Sequence, residues 1–326
     1  MSRLAFIFRT DTHVADKSPS SWKGDYPAEI WSNIEQIGKL ASEHQVKAVL
    51  DGGDYFHVKA PSRNSHASVI KTAELHRSSY RCPVYCVEGN HDLAYNSLES
   101  IERQPLGVLY ASGVFNHLRE AVFTDGGLQV RVVGLPYSPH RTLIDILAVQ
   151  KKPGDDFLIA VIHALASENP PSKVEDFFGE PVFRYSDLVS NNGPDCFLFG
   201  HWHRDQGITT ISGKHFVNQG AVSRGALIHE NTQRTPQVAL LEFEPSEVKF
   251  RTLPLVVAPA EDVFDFERKE RIENENHSID QFLVKLQEDA AFDPSATIEA
   301  NIRNLGFVQE VRDLALSYLE QAREVG

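Results

Sequence analysis

The sequence predicts an α/β fold, and three observations predict it. The runs "LAFIF" (4–8), "VKAVLDGGD" (46–54) and "PVYCVEGNHD" (83–92) are apolar strands, the last two ending in polar residues. The stretch "AEIWSNIEQIGKLASE" (28–43) carries Ile30, Ile34, Ile37 and Leu40 at helical spacing, and residues 65–79 supply a second helix. The resulting order, strand–helix–strand–helix–strand, implies a parallel sheet with helices on its face.

The pattern then changes. "LREAVFTDGGLQVRVVGLPY" (118–137) reads as two strands around an Asp-Gly-Gly turn. Residues 156–165, 195–203 and 214–222 follow as further strands, and 237–255 as a hairpin around Pro245. The segment 167–194 is rich in Pro, Asn and Ser and is long for a loop, which marks it as bordering function or mobile. "APAEDVFDF" (258–266) reads as a linker, and two amphipathic helices are expected near 267–290 and 307–323. The organisation expected is a main domain at 1–257, the linker at 258–266 and a helical segment at 267–326.

A chain of 326 residues with 41 % hydrophobic content can bury a sizeable core. No apolar run approaches the ~18 residues of a membrane helix, and the start, short and soon polar after "LAFIF", is expected to be the first strand and not a secretion signal. Three cysteines, Cys82, Cys86 and Cys196, do not suggest a disulfide framework, so a cytoplasmic location is expected. Net charge is −13 and uneven: residues 260–326 hold 16 acids and 7 bases, residues 1–259 hold 29 and 25. An acidic total argues against coating nucleic acid by charge alone. It leaves room for a nuclease, because two bound divalent cations would make a cleft locally positive.

Five polar clusters stand at or just after the expected strands: "DTH" (11–13), "GGDYFH" (52–57), "GNHD" (89–92), "IH" (162–163) and "GHWH" (200–203). Ligands of open α/β sheets gather beyond the carboxyl ends of strands. In an extended segment residues i and i+2 point the same way. Asp11 with His13, and His201 with His203, are therefore each expected to aim as a pair. Carboxylates, one amide and several imidazoles suit Mn, Fe or Zn better than calcium. The set is too large for one ion and right for two sharing a carboxylate.

The ordered motifs D-x-H, G-D-x-x-H, G-N-H-D, H and G-H-x-H, over roughly residues 4–255, resemble the calcineurin-like metallophosphoesterase superfamily. His57, three residues after Asp54, resembles the DNA-repair nuclease branch typified by SbcD, as do "VVGLPY" (132–137) and "GHWHRDQ" (200–206). "DTHVAD" departs from it, since SbcD-like chains usually have Leu-Gly after that histidine. The resemblance implies a four-layer αββα sandwich of two mixed sheets with a small C-terminal helical appendage. It implies one metal held by Asp11, His13, Asp54 and His203, and a second by Asp54, Asn90, His163 and His201. Manganese is the first expectation for both, ahead of Fe, Zn or Mg. It implies His91 as general acid, with Asp92 paired to it to fix its tautomer, and His57 on the scissile phosphate. It also implies DNA as substrate, an SbcC-type ATPase docked through the C-terminal helices, and a homodimer, with no membrane association.

The remaining candidates have plainer readings. Of the other eight histidines, His140 follows the "GLPYSP" loop and is the one placed to approach the cleft; the rest read as ordinary surface or core residues. Cys82 and Cys86 lack a second cysteine pair and read as structural thiols. Arg9 reads as solvated or ion-paired. Asn218, Gln219 and Arg224 read equally as neighbours of the metals or as a strand-end turn, and the tail stripes equally as packing or as a docking element. The rival function is a metallophosphatase or a cyclic-nucleotide phosphodiesterase. A binding module with a dead site has no need of all seven ligands.

Overall fold

The computed structural model describes residues 2–57, 64–171, 174–268, 270–271 and 297–304, with positions 309, 312, 313, 315 and 316. The chain divides into a unit Met1–Phe264 and a unit Asp265–Gly326. Of the second, helix Ile298–Asn304 is described; the helices expected at 267–290 and 307–323 lie largely outside the described residues.

In the first unit the strands are β1 (Leu4–Arg9), β2 (Ala48–Asp51), β3 (Val84–Cys86), β4 (Asn116–His117), β5 (Glu120–Asp125), β6 (Leu128–Leu135) and β7 (Phe157–His163). They continue with β8 (Ala166–Ser167), β9 (Phe183–Arg184), β10 (Cys196–Gly200), β11 (Asp205–Ile211), β12 (Lys214–Gln219), β13 (Gln237–Glu244) and β14 (Glu247–Pro254). The helices that matter here are α1 (Tyr26–Glu43), α2 (His66–Ser79), α3 (Pro105–Ala111), α4 (Leu143–Leu147), α5 (Val174–Phe178) and α6 (His229–Gln233).

One six-stranded sheet runs β14-β13-β1-β2-β3-β4 and the other β11-β12-β10-β7-β6-β5. The neighbours from β1 to β4 are parallel, while β13 is antiparallel to both β1 and β14. In the second sheet β12, β10, β7 and β6 are parallel, with antiparallel edges β11 and β5. Both sheets are mixed, as expected.

Strand alternation assigns each side chain to a layer. Leu4, Phe6 and Phe8 of β1 meet Val130, Val132, Ile159, Val161 and Leu198 of the other sheet, forming the central core. Ala5 and Ile7 face the opposite way, onto Ile30, Ile34 and Ile37 of α1. The outer face of the second sheet, with Leu158, Ala160 and Phe197, packs on Ile146 of α4 and on Tyr185 and Leu188. Helix, sheet, sheet, helix is the result. Helix α1 starts where Asp25 accepts a hydrogen bond from Ala28 N, with Pro27 in its first turn, and ends before Gln45 at φ +52°. Burying each α1 isoleucine contributes about 1.5–3 kcal/mol.

Strand β11 and helix α3 are not foreseen from the sequence, nor are the short elements β4, β8, β9, α4, α5 and α6, of which α5 and β9 lie within the segment 167–194 read as a loop. "DQGITTI" has only Ile208 and Ile211 as large apolar residues, because β11 is an edge strand whose side chains are half exposed. Among the described residues, no helix is long and apolar enough to cross a membrane.

Candidate metal centre

The parallel strands β1 and β2 align Arg9 with Asp51, and β7 with β10 align His163 with Gly200. All four strand ends therefore open on one edge of the sandwich. The loops leaving β1 and β2 are tied together by backbone bonds: Asp11 N to Gly53 O, His13 N to Asp54 O, Val14 N to Tyr55 O and His57 N to Val14 O, at 2.8–3.0 Å.

The convergence of Asp11 and His13 does not come from an extended segment, as expected from their spacing. Both are left-handed, at φ +52° and +50°, as are Asp54 at +52° and His201 at +91°. Non-glycine residues in that region cost of order 1–3 kcal/mol each, and Asp and His are among those that tolerate it best. The strain turns each ligand out of the strand direction and toward one point. Two glycines make room. A Cβ on Gly89 would lie 2.1 Å from Asp54 Oδ1, and one on Gly53, itself at φ +95°, 2.8 Å from His163 Nδ1.

Asp11, His13, Asp54 and His203 each place a ligand atom within 4.8 Å of one another, and Asp54, His163 and His201 do the same. Asn90 Oδ1 lies 3.2 Å from His163 Nε2. Asp54 belongs to both groups. Its Oδ2 is buried without a hydrogen-bond partner, 3.9 Å from His13 Nε2 and 3.5 Å from His163 Nε2. His13 and His203 meet nitrogen to nitrogen, Nε2 to Nε2, at 2.9 Å. An orphaned carboxylate oxygen encircled by imidazole nitrogens is the donor set a divalent cation completes, so the residues fit two metals.

The electrostatics agree. Burial, then His203, hold His13 well below the usual imidazole range, which keeps it neutral with a lone pair to donate. Burial opposes ionisation of Asp54, but His163 and His13 outweigh it and hold the group well below the usual carboxylate range. Asp11 is pushed up to about 6 by burial, against the pull of His163 and with Asp54 adding to the rise. His163 donates Nδ1–H to Gly52 O at 2.6 Å, which leaves Nε2 as the ligand atom. Asp11 is oriented by Thr10 Oγ1 at 2.7 Å and by the backbone N–H of His201.

His57 and His91 stand beside the ligands. Their rings stack at 5.7 Å, and both present an edge to His13. The expected pairing of His91 with Asp92 is corrected by the structure. His91 Nδ1 donates to the His57 carbonyl oxygen at 2.6 Å. Asp92 instead accepts from the backbone N–H groups of Tyr55, Phe56 and Gly89. The reason is local: in the turn Asn90–Asp92 the Asp92 carboxylate folds back on its own N-terminal residue as a capping group. It positions the loops and does not touch the imidazole.

The other candidates resolve as scaffold. Arg9 is buried against Asp51 at 2.6 Å. Asn218 Nδ2 donates to Trp202 O, and Gln219 Oε1 accepts from Thr252. Arg224 pairs with Glu29, while Ser223 Oγ donates to Asp11 O behind the site. His140 is exposed in the turn after Pro139. Cys86 and Cys196 are buried free thiols and Cys82 is half-buried.

Sequence reasoning missed Glu180. Its Oε2 lies 3.1 Å from His201 Nε2 and its Oε1 accepts from the Tyr137 hydroxyl at 2.6 Å. Tyr137 closes "VVGLPY", a stretch already singled out, but nothing in the polar loop 167–194 distinguishes Glu180 from its neighbours. Beside the ligands lies a cleft of about 650 Å³ that includes Asp54, Asn90, His91, Phe178, Trp202 and Ile228 in its lining.

Comparison with known proteins adds the family. The family model for calcineurin-like phosphoesterases matches residues 4–205. No curated protein matches the sequence. Among solved structures, a dimetal phosphatase from Danio rerio is 11 % identical, with 78 % of this chain and 96 % of that one covered and a TM-score of 0.49. The calcineurin-like phosphoesterase YfkN from Bacillus subtilis is 14 % identical, with 80 % and 94 % covered and a TM-score of 0.47. Likenesses this distant say nothing of substrate. The matched model spans β1 to the start of β11, and with it all five motif clusters, so the chain belongs to the calcineurin-like phosphoesterase family, whose members hydrolyse phosphoesters with two divalent metals.

Proposed function

We propose that this phosphoesterase hydrolyses phosphodiesters of DNA, as a nuclease of the SbcD type. The observation that carries the reading is the stacked pair His57–His91 beside the ligand cluster. A diester has an alkoxide leaving group that needs a proton and a phosphate oxygen that needs a donor, and the two imidazoles, which lie outside the seven proposed ligands although with His13 they form a third group able to hold an ion, can meet both needs.

Two divalent cations held by Asp11, His13, Asp54 and His203 and by Asp54, Asn90, His163 and His201 would supply Lewis acidity and an activated water. The protein's own part is as follows. The Nδ1–H bond to His57 O holds the His91 ring and leaves Nε2 as the nitrogen that gives a proton to the leaving oxygen. His57 binds the phosphate. Burial, then the neighbouring His91, keep its imidazole below its usual range, so it acts as a neutral hydrogen-bond donor. Manganese as the preferred ion rests on the mixed oxygen and nitrogen donors. An SbcC-type ATPase docked on the tail and a homodimer belong to the same proposal.

A second reading, hydrolysis of a small phosphoester, draws on Glu180 and Glu230 in the cleft lining, which repel a polyanion. Purified protein with Mn²⁺ on labelled single- and double-stranded DNA, beside para-nitrophenyl phosphate mono- and diesters, separates the two. Cleavage of DNA is the result expected. Activity on small esters with every form of DNA left intact would promote the second reading.

A further inference from the structure

We propose that Trp202 and Phe178 form a base-stacking subsite beside the metal ligands, and that Arg204 continues it into a second pocket. The proposal rests on the nucleotide-strand reading above and names how a strand would be held.

Trp202 lies between His201 and His203 in the chain. Its position is therefore locked to the ligand loop, and Asn218 Nδ2 fixes its carbonyl oxygen. The indole meets the Phe178 ring edge-on, centroids 6.4 Å apart, and Phe178 is 6.3 Å from the His201 ring. Phe178 is 39 % exposed and Ile228, also in the cleft lining, 45 %. A phosphate gains nothing from this wall. Large apolar side chains partly exposed beside a cluster of metal ligands suit a substrate with a flat apolar part next to its phosphate, and a nucleobase is that part.

A second pocket, of about 260 Å³, shares Pro171, Trp202 and Arg204 with the cleft, so the two adjoin across the indole. Arg204 is exposed and lines both. The lining of the second pocket includes Glu168, Asn169 and Gln206, whose oxygens and amides suit base edges more than phosphates. A strand with its scissile phosphate at the ligands would rest one base on Trp202 and Phe178, bring its next phosphate to Arg204, and lead onward into the second pocket.

Tryptophan fluorescence reads this directly, without turnover. Of the three tryptophans, Trp22 is buried with its indole N–H on Arg224 O, and Trp31 lies on α1 beneath Lys71. Neither lines either pocket, so a cleft ligand reports through Trp202. The probes are thymidine 5′-monophosphate and 2-deoxyribose 5-phosphate, added to full-length protein loaded with Mg²⁺, which does not quench. Saturable quenching by the nucleotide, absent with the sugar phosphate and lost in Trp202→Leu, is expected. Phe178→Ala, which replaces none of the proposed ligands, should weaken nucleotide binding about fivefold or more, the lower end of one base–aromatic stack. It should raise KM for a short single strand by a similar factor. Equal quenching by both probes, or unchanged nucleotide affinity in Phe178→Ala with normal metal content, would overturn the subsite. Quenching by the nucleotide without cleavage of any DNA supports the subsite and removes the nuclease reading. Cleavage of DNA without quenching does the reverse.

Discussion

Replacing Asp92 by asparagine separates two roles for this carboxylate. Its Oδ2 accepts from Gly89 N at 3.0 Å and Tyr55 N at 3.3 Å, and its Oδ1 from Phe56 N at 3.1 Å. The group is buried. Burial and the charge of Asp54 push its carboxyl up, and the backbone donors of Gly89 and Phe56 oppose them. An asparagine can keep the oxygen that serves Gly89 and Tyr55. Its amide then confronts the Phe56 N–H, leaving a buried donor unpaired at about 1–3 kcal/mol. The expected loss is therefore about 1–3 kcal/mol of stability. In the presence of chelator, to remove any contribution from bound metal, Asp92→Asn should lower the urea midpoint accordingly with m unchanged. The loss of loop register should also weaken metal binding, because Gly89 and Asn90 belong to the same turn. A variant as stable as the parent, with an altered pH–rate profile and unaltered metal affinity, would refute the positioning role and restore a direct partnership with His91.

Three further outcomes are expected. His91→Ala should lower turnover by about 10²–10⁴-fold while metal content by elemental analysis stays the same, if the residue has the acid role proposed for it; loss of metal would make it a ligand. Glu180→Ala should weaken the affinity for the metal at His201 by about 10–100-fold in calorimetric titration, because the carboxylate orients that imidazole; identical isotherms would discard the role. Burial pushes the Glu88 carboxyl up, but His117 and Arg119 outweigh it and hold it below its usual range. A depressed folded value means stability present above the ordinary glutamate range and lost as pH falls through the folded value. Glu88→Gln should therefore be about 1–2 kcal/mol less stable at neutral pH, with the gap closing below about pH 4. A gap of constant size down to pH 3 would show packing, and not charge, to be responsible.

The sequence by itself determined the layers and the residue types at the sheet edge. Phe6 and Phe8 alternate with Ala5 and Ile7, and Ile30, Ile34 and Ile37 recur at helical spacing, because burial on one face imposes a period that survives in the linear order. The motif residues stand at strand ends because parallel strands deliver their carboxyl ends to one edge. The edge strand β11 carried no such period, since half-exposed positions accept almost any side chain. Only the tertiary structure decided how the motifs meet. Asp11 and His13 converge through left-handed backbone, not through extended alternation, and Asp92 turns to three backbone N–H groups in place of His91. Glu180, Phe178 and Trp202 come together across some twenty residues of chain. Such contacts depend on long-range register and loop closure, and these leave no local period to read.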